Sequence, residues 1–394
     1  MMENFQYYAP TKVVFGKGTE NKAGQLVKEQ NCRKVLIHYG SGSVKRSGLL
    51  DRIFASLDEE GISYISLGGV VPNPRLSLVY EGIDLCRREG VDFILAVGGG
   101  SVIDSAKAIG YGVENEGDVW DFYERKRQAC GCLPIGVVLT IAAAGSEMSD
   151  SSVITNENGW LKRGYNSSYC RPKFAVMNPE LTMTLPKYQT ASGCVDIMMH
   201  TMERYFNHCD NMELTDGISE ALMRTVIRNA KILVKEPENY DTRAEIVWAG
   251  TLAHNGLLNT GRVQDWASHR IALEMSGLYD IAHGASLSIV YPAWMEYVYS
   301  HDKKRFMQFA VRVWDVDLAY GEEDEICLEG IRRMREFFKK LGMPLTFEDA
   351  GLPTDAFEEM ADKATYGDTI PVGNFVKIGK SQMIDIYKLC TERK

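Results

Sequence analysis

Asp196 and His200 stand four residues apart in Tyr188 to Phe206, a stretch that reads as a helix, so both side chains project from one face. His269 falls on a further helix opened by Asp265. His283 follows fourteen residues later, immediately before Gly284. One carboxylate and three imidazoles make a donor set suited to a divalent first-row ion such as Fe2+ or Zn2+. With one position left for water or substrate, such an ion is a Lewis acid for a carbonyl oxygen. The spacing alone also fits a surface ion pair and two histidines packed for structural reasons. The remaining histidines carry no such pattern: His38 is on a strand, His208 at a helix end and His301 in a charged stretch. His254, on a helix beside Asn255 and Gly256, could line a cleft but reads better as a packing residue.

A second constellation is Gly98-Gly99-Gly100-Ser101, placed between the apolar run Phe93–Val97 and a helix from Val102. Glycines there let the backbone approach a phosphate, and free N–H groups at the helix start attract the anion. Ser101 adds a hydroxyl and Asp104 sits in the first turn. This is not the GxGxxG fingerprint, and the plain alternative is a tight turn. After the first strand, Val35–His38, many dinucleotide domains place a carboxylate for the adenosine ribose. Here that position reads Gly40-Ser41-Gly42-Ser43-Val44-Lys45-Arg46, two hydroxyls and two cations without a carboxylate. That composition predicts NADP(H) rather than NAD(H), because it offers partners to a 2′-phosphate.

The elements that must position these groups alternate in the first half. Strands are expected at Val35–His38, Ile62–Leu67, Phe93–Val97, Leu133–Leu139 and Phe174–Met177, with helices over Val44–Glu60, from Pro74 to about Gly90, and from Val102. Strands this apolar belong in a parallel sheet covered on both faces. After Pro186 the pattern turns helical: Tyr188–Phe206, Leu214–Val234, Thr242–Leu258, Asp265–Met275, a segment from Gly284, and Ile326–Leu341 stopped by Gly342 and Pro344. The expected fold class is therefore an α/β Rossmann-like parallel-sheet domain at 1–186 joined to an all-α domain at 187–394.

The 394 residues carry 53 acidic and 44 basic side chains, a net charge of −9. This balance argues against a nucleic-acid partner, which needs a basic face, and against docking on anionic lipid. Ala129–Ser146 is uncharged, but Gly131, Pro134, Gly136 and Gly145 mark it as a strand and loop rather than a membrane span. No basic-then-apolar leader opens the chain, and its nine cysteines form no CxxC pair, so reduced thiols in the cytoplasm are expected.

Taken in order, the motifs resemble the iron-containing (group III) alcohol dehydrogenases, in their NADPH-dependent butanol dehydrogenase and aldehyde reductase branch. The resemblance runs through Tyr8–Gly16, Pro72-Asn73-Pro74, Gly98–Asp104 with Lys107, and Gly145-Ser146-Glu147. It continues in Thr184-Leu-Pro186, Gly193-x-x-Asp196-x-x-x-His200-x-x-Glu203, Gln264–His269 and His283-Gly284. It implies a dehydroquinate-synthase-like two-domain plan, with Asp196, His200, His269 and His283 holding a catalytic Fe2+ or Zn2+. It further implies that the glycine loop holds the pyrophosphate, with Asn73 at the adenine side of the cofactor. Thr140 and Ser146 then belong at the nicotinamide end and Lys162 near the nicotinamide ribose. NAD-preferring relatives carry an aspartate where this chain has Gly40. One departure stands out: where many relatives have a further histidine four residues after the third ligand, this chain has Leu273, so no proton relay passes through an imidazole there.

The leading expectation is a metal-dependent oxidoreductase exchanging a hydride between NADP(H) and a small aldehyde or primary alcohol, working as a homodimer. The segment from Phe5 to Pro10 is one candidate contact between copies, a sheet-edge strand another. Two other readings stay open at the level of sequence. A dehydroquinate-synthase-like lyase shares the two-domain plan but should carry a basic clamp, whereas Val195, Ile197, Met198 and Met199 surround Asp196 here. A non-catalytic NADPH-binding protein would not need all four ligand positions.

Overall fold

The computed structural model describes residues 2–391. Two compact units emerge: Tyr8–Leu185, and Pro186 onward together with the segment before Tyr8.

The first unit contains β1 Lys12–Phe15, β2 Lys34–Gly40, β3 Ser63–Val70, β4 Phe93–Gly98, β5 Ile135–Leu139, β6 Ser151–Asn156, β7 Leu161–Asn166 and β8 Phe174–Met177. Six strands pair in parallel in the order β3-β2-β4-β5-β8-β1, and β6 and β7 form a separate antiparallel hairpin. Strands β4, β5 and β8 are buried along their whole length, which their unbroken apolar sequences require. Between strands run α1 Leu49–Glu59, α2 Leu76–Glu89 and α3 Gly100–Glu114.

Alternation along the strands assigns the two faces. Val35, Ile37 and Tyr39 of β2 and Phe93, Leu95 and Val97 of β4 share a core with Leu49, Leu50, Ile53 and Leu57 of α1. Each such side chain contributes roughly 1.5–3 kcal/mol on full burial. The interleaved His38 bonds instead to Ser105 of α3, Nε2 to Oγ at 2.9 Å. Because the chain reverses direction across the sheet between β2 and β4, the carboxyl ends of those two strands flank the switch point, where ligands of open α/β sheets sit. Gly40 ends β2 and Gly98 ends β4.

The second unit is helical: α4 Lys187–Tyr205, α5 Glu213–Leu233, α6 Tyr240–His254, α7 Ala267–Tyr279, α8 His283–Val298, α9 Lys303–Trp314, α10 Glu323–Lys340, α11 Phe357–Ala364 and α12 Lys380–Leu389. Helix α4 is buried from Ala191 to Tyr205 and is the axis of the unit's core.

Several expectations are corrected. The helix read over Val44–Glu60 is two, Ser43–Arg46 and α1, split at Gly48, whose φ of 67° no right-handed helix accepts. Helix α2 starts at Leu76 rather than Pro74, and α6 stops at His254 before Gly256 turns left-handed at φ 98°. Strands β1, β6 and β7 and helices α9, α11 and α12 have no counterpart in the sequence reading. The segment before Tyr8 packs with the helical unit, not with the sheet: Glu3 donates its N–H to the Gly261 carbonyl at 2.9 Å. All nine cysteines are free. Among the described residues no helix is long and apolar enough to cross a membrane.

Candidate metal centre and cofactor loops

Asp196 and His200 lie on α4, His269 on the first turn of α7, and His283 at the first position of α8. The helical period puts Asp196, His200 and Glu203 on one face of α4, at i, i+4 and i+7. From Asp196 Oδ1 the distances to the Nε2 atoms of His200, His269 and His283 are 3.3, 3.9 and 4.0 Å. The ligand atoms of Asp196, His200 and His269 all lie within 4.8 Å of one another. His283 comes this close because Gly284 presses on α4. A Cβ there would stand 2.1 Å from the Ser192 carbonyl oxygen, so any larger residue would push the start of α8 away.

The environment is arranged for neutral imidazole donors. Burial, reinforced by the neighbouring His254, His269 and Arg204, holds the His200 ring well below the usual histidine range. His269 Nε2 is buried and makes no hydrogen bond, leaving its lone pair unused. An unused imidazole nitrogen among a carboxylate and two further imidazoles fits a divalent cation.

Behind these ligands stands Glu203, fully buried. Its Oε1 accepts from His269 Nδ1 at 2.6 Å, from Ser268 Oγ at 2.6 Å and from the His269 N–H at 3.0 Å, and its Oε2 accepts from the Trp266 N–H at 2.7 Å. Burial raises this carboxyl, but the hydrogen bonds from His269 and Ser268 outweigh it and hold the group below the usual glutamate range. Glu203 thereby satisfies the orphan N–H groups that open α7 and turns the His269 ring. Trp266, at φ 68°, is the bend that lets α7 begin there. His254 meets the other ligand from behind, with its Nδ1 2.7 Å from His200 Nδ1.

Val195, Ile197, Met198 and Met199, read as an apolar setting for substrate, are all fully buried. On a helix, Ile197 and Met198 are turned about 100° and 200° from Asp196. Those two therefore face the core rather than the ligands.

The residues read as cofactor-binding all lie in the sheet unit. Gly98 and Gly99 form the bend from β4 into α3. A Cβ on Gly98 would stand 2.4 Å from Val102 Cγ2 and one on Gly99 2.8 Å from Ile141 Cβ, so only glycine lets this loop lie flat. Thr140 is tied to it through its N–H, donated to the Gly98 carbonyl at 3.0 Å. Gly100 and Ser101 open α3. Asp104 spends both oxygens inside the unit, accepting from Ser146 Oγ at 2.6 Å and from the Val153 N–H at 3.0 Å. It and Ser146 brace the loops. Lys107, fully buried one turn on, donates to the carbonyls of Ser146, Ser149 and Ser151.

Lys162, on β7, donates to Asn73 Oδ1 at 2.8 Å. The residues that the resemblance places at the adenine side and near the nicotinamide ribose are thus in direct contact. At the end of β2, Ser41, Ser43 and Lys45 are exposed, and Lys45 Nζ lies 5.1 Å from the Tyr39 ring centroid.

Sequence reasoning missed Glu203 and His254 as partners of ligands. The i+7 position relative to Asp196 was a legible signal for Glu203. Nothing in the sequence brings His254 to His200.

Comparison with known proteins agrees with this geometry. The family profile described as "Iron-containing alcohol dehydrogenase" matches residues 10–179, and its companion, "Fe-containing alcohol dehydrogenase family, C-terminal", matches 190–391. The chain is 42% identical to the probable NADH-dependent butanol dehydrogenase 1 of Bacillus subtilis (strain 168), over 98% of this chain and 99% of that one. It is 37% identical to the NADPH-dependent aldehyde reductase YqhD of Escherichia coli (strain K12), over 92% and 93%. The crystal structure of NADH-dependent butanol dehydrogenase A from Thermotoga maritima superposes with a TM-score of 0.96 at 40% identity, covering 99% of each chain.

Proposed function

The chain belongs to the iron-containing alcohol dehydrogenase family, and on that premise we propose that it moves a hydride between NADP(H) and a small aldehyde or primary alcohol. The observation that carries this reading is the convergence of three imidazole Nε2 atoms on Asp196 Oδ1, within 3.3 to 4.0 Å. Asp196, His200, His269 and His283 would hold Fe2+ or Zn2+. When bound, the ion supplies a Lewis acid for the aldehyde oxygen and the reduced nicotinamide supplies the hydride.

The chain's own residues orient and exclude. Glu203 fixes the His269 tautomer so that Nδ1 carries the proton and Nε2 keeps its lone pair. Gly284 keeps His283 close to Asp196. The glycine loop at 98–100, braced by Asp104, Ser146 and Lys107, offers helix-opening N–H groups to a pyrophosphate. Leu273 leaves no imidazole for a proton relay at its position.

NADP(H) is favoured over NAD(H) by Ser41, Ser43 and Lys45 beside Gly40, a loop without a carboxylate. The relatives divide on this point, with butanol dehydrogenases named for NADH and an aldehyde reductase named for NADPH. A cytoplasmic homodimer completes the reading, and the exposed apolar side chains Phe5, Tyr7 and Tyr8 support a contact between copies.

Purified protein is expected to carry about one metal ion per chain by elemental analysis and to oxidise NADPH in the presence of butanal, losing activity to a chelator and regaining it with Fe2+ or Zn2+. No metal and no turnover across a series of aldehyde chain lengths would refute the reading. Light scattering tests the dimer.

A further inference from the structure

We propose that His254 is a positioning residue that sets the tautomer of His200 and so presents the Nε2 lone pair to the metal. The inference rests on the metal-site reading above and concerns a residue outside the ligand set. The tight group of ligand atoms comprises Asp196, His200 and His269, not His254.

The geometry is specific. The two Nδ1 atoms are 2.7 Å apart, and the ring centroids are 4.2 Å apart with planes at 73°. Two ring nitrogens at this distance share one proton, since one must donate and the other accept. Because both are Nδ1, the rings hold opposite tautomers. If His200 donates, its Nε2 carries a lone pair 3.3 Å from Asp196 Oδ1, as a ligand must. If His254 donates, His200 carries a proton on Nε2, in the place a cation would take. Metal binding selects the first arrangement, and the His254 Nδ1 lone pair is the acceptor that makes it possible.

The pair is held in place. The Trp266 ring packs on both imidazoles, with centroids 5.7 Å from each, and the Arg204 guanidinium lies 4.7 Å from the Trp266 centroid. Arg204 also donates to the His200 carbonyl. His254 is the last residue of α6, so the helix end fixes its backbone. The two buried ligands therefore have unlike supports, a carboxylate behind His269 and a neutral imidazole behind His200. A charged acceptor strengthens a ligand's basicity more than a neutral one, so the two imidazoles are inequivalent donors.

The test compares wild type with His254→Leu, His254→Asn and His254→Gln. Each is stripped of metal and titrated with Co2+, read by its visible absorption band and by competition with a chelating dye. In asparagine the side-chain oxygen takes the place of Nδ1, whereas in glutamine it lies one bond further out, near Nε2. The expected result is Co2+ affinity lowered about 10- to 100-fold in the leucine and glutamine variants, with a shifted band, and restored to within about threefold of wild type in asparagine. Equal affinity and an unchanged band in all variants would overturn the proposal. So would equal weakening in asparagine and leucine, which would mark the ring as mere filling. Thermal melts of the metal-free proteins identify any variant that fails to fold, and the asparagine and glutamine pair then decides. Failure of wild type to bind Co2+ would instead strike the metal-site reading itself.

Discussion

Glu203 holds His269 at two points with one oxygen: Oε1 accepts from the ring Nδ1 at 2.6 Å and from the backbone N–H at 3.0 Å. The ring therefore cannot rotate without also disturbing the start of α7. Glu203→Gln keeps the shape but removes the charge and offers an amide NH2 to groups that are themselves donors. Metal affinity is expected to fall about 10- to 100-fold, measured by chelator competition on folded protein. Affinity equal to wild type would show that the carboxylate does not tune the ligand.

Burial pushes the His38 imidazole down to about 4, against an ordinary value near 6.5, only partly offset by its bond to the Leu67 carbonyl. Between those two values the unfolded chain takes up a proton that the folded chain refuses. The stability held above pH 6.5 is therefore lost as pH falls towards 4, about 3 kcal/mol in all. His38→Asn keeps a donor for the Leu67 carbonyl and should flatten this part of the curve. Urea midpoints at half-unit pH steps measure the difference, and parallel curves for the two proteins would contradict the assignment.

Lys107 is a buried lysine that donates to carbonyl oxygens, at 2.8 Å from Ser146, 3.0 Å from Ser149 and 2.8 Å from Ser151, and to the Ser146 hydroxyl at 2.9 Å. Lys107→Met matches the stem but leaves these acceptors without their donor, a loss on the order of 3 kcal/mol. Because those carbonyls belong to the segment that also carries Ser146, KM for the cofactor should rise together with the fall in melting temperature. A variant that melts lower with an unaltered cofactor KM would separate the brace from the binding loop.

Gly40 has room for a side chain: a Cβ would sit 3.5 Å from the Val70 carbonyl oxygen and 4.0 Å from Val102 Cγ2, ordinary contacts. Gly40→Asp should therefore fold. It is expected to raise the NADH-to-NADPH ratio of kcat/KM at least tenfold, about 1.4 kcal/mol, by accepting from a ribose hydroxyl and repelling a 2′-phosphate. Lys45→Ala should lower the NADPH value alone. Steady-state kinetics with both cofactors decide, and an unmoved ratio in both variants would place the 2′-phosphate elsewhere.

What the sequence made legible follows from periodicity and side-chain type. The buried strands β4, β5 and β8 declared themselves as apolar runs, and α4 showed its functional face because Asp196 and His200 share it. The hairpin β6–β7 did not, because β7 is Leu-Lys-Arg-Gly-Tyr-Asn and presents no alternation, although it carries Lys162. The break at Gly48 was hidden because apolar spacing continues across it, and only the positive φ reveals the turn. Ligands could be nominated by chemistry, but His254 could not. Its role depends on where the end of α6 falls against α4, a tertiary fact that no local pattern encodes.

The Glu3–Gly261 hydrogen bond places a constraint on synthesis. A ribosome adding roughly 5–20 residues per second releases Glu3 some ten to fifty seconds before Gly261 exists. During that interval the segment around Glu3, with Met2, Phe5 and Tyr7 exposed even in the finished fold, has no native seat. Residues made long before their partner are thus late to reach their place. Slow translation therefore lengthens the time in which this greasy segment is open to chaperones or to other nascent chains.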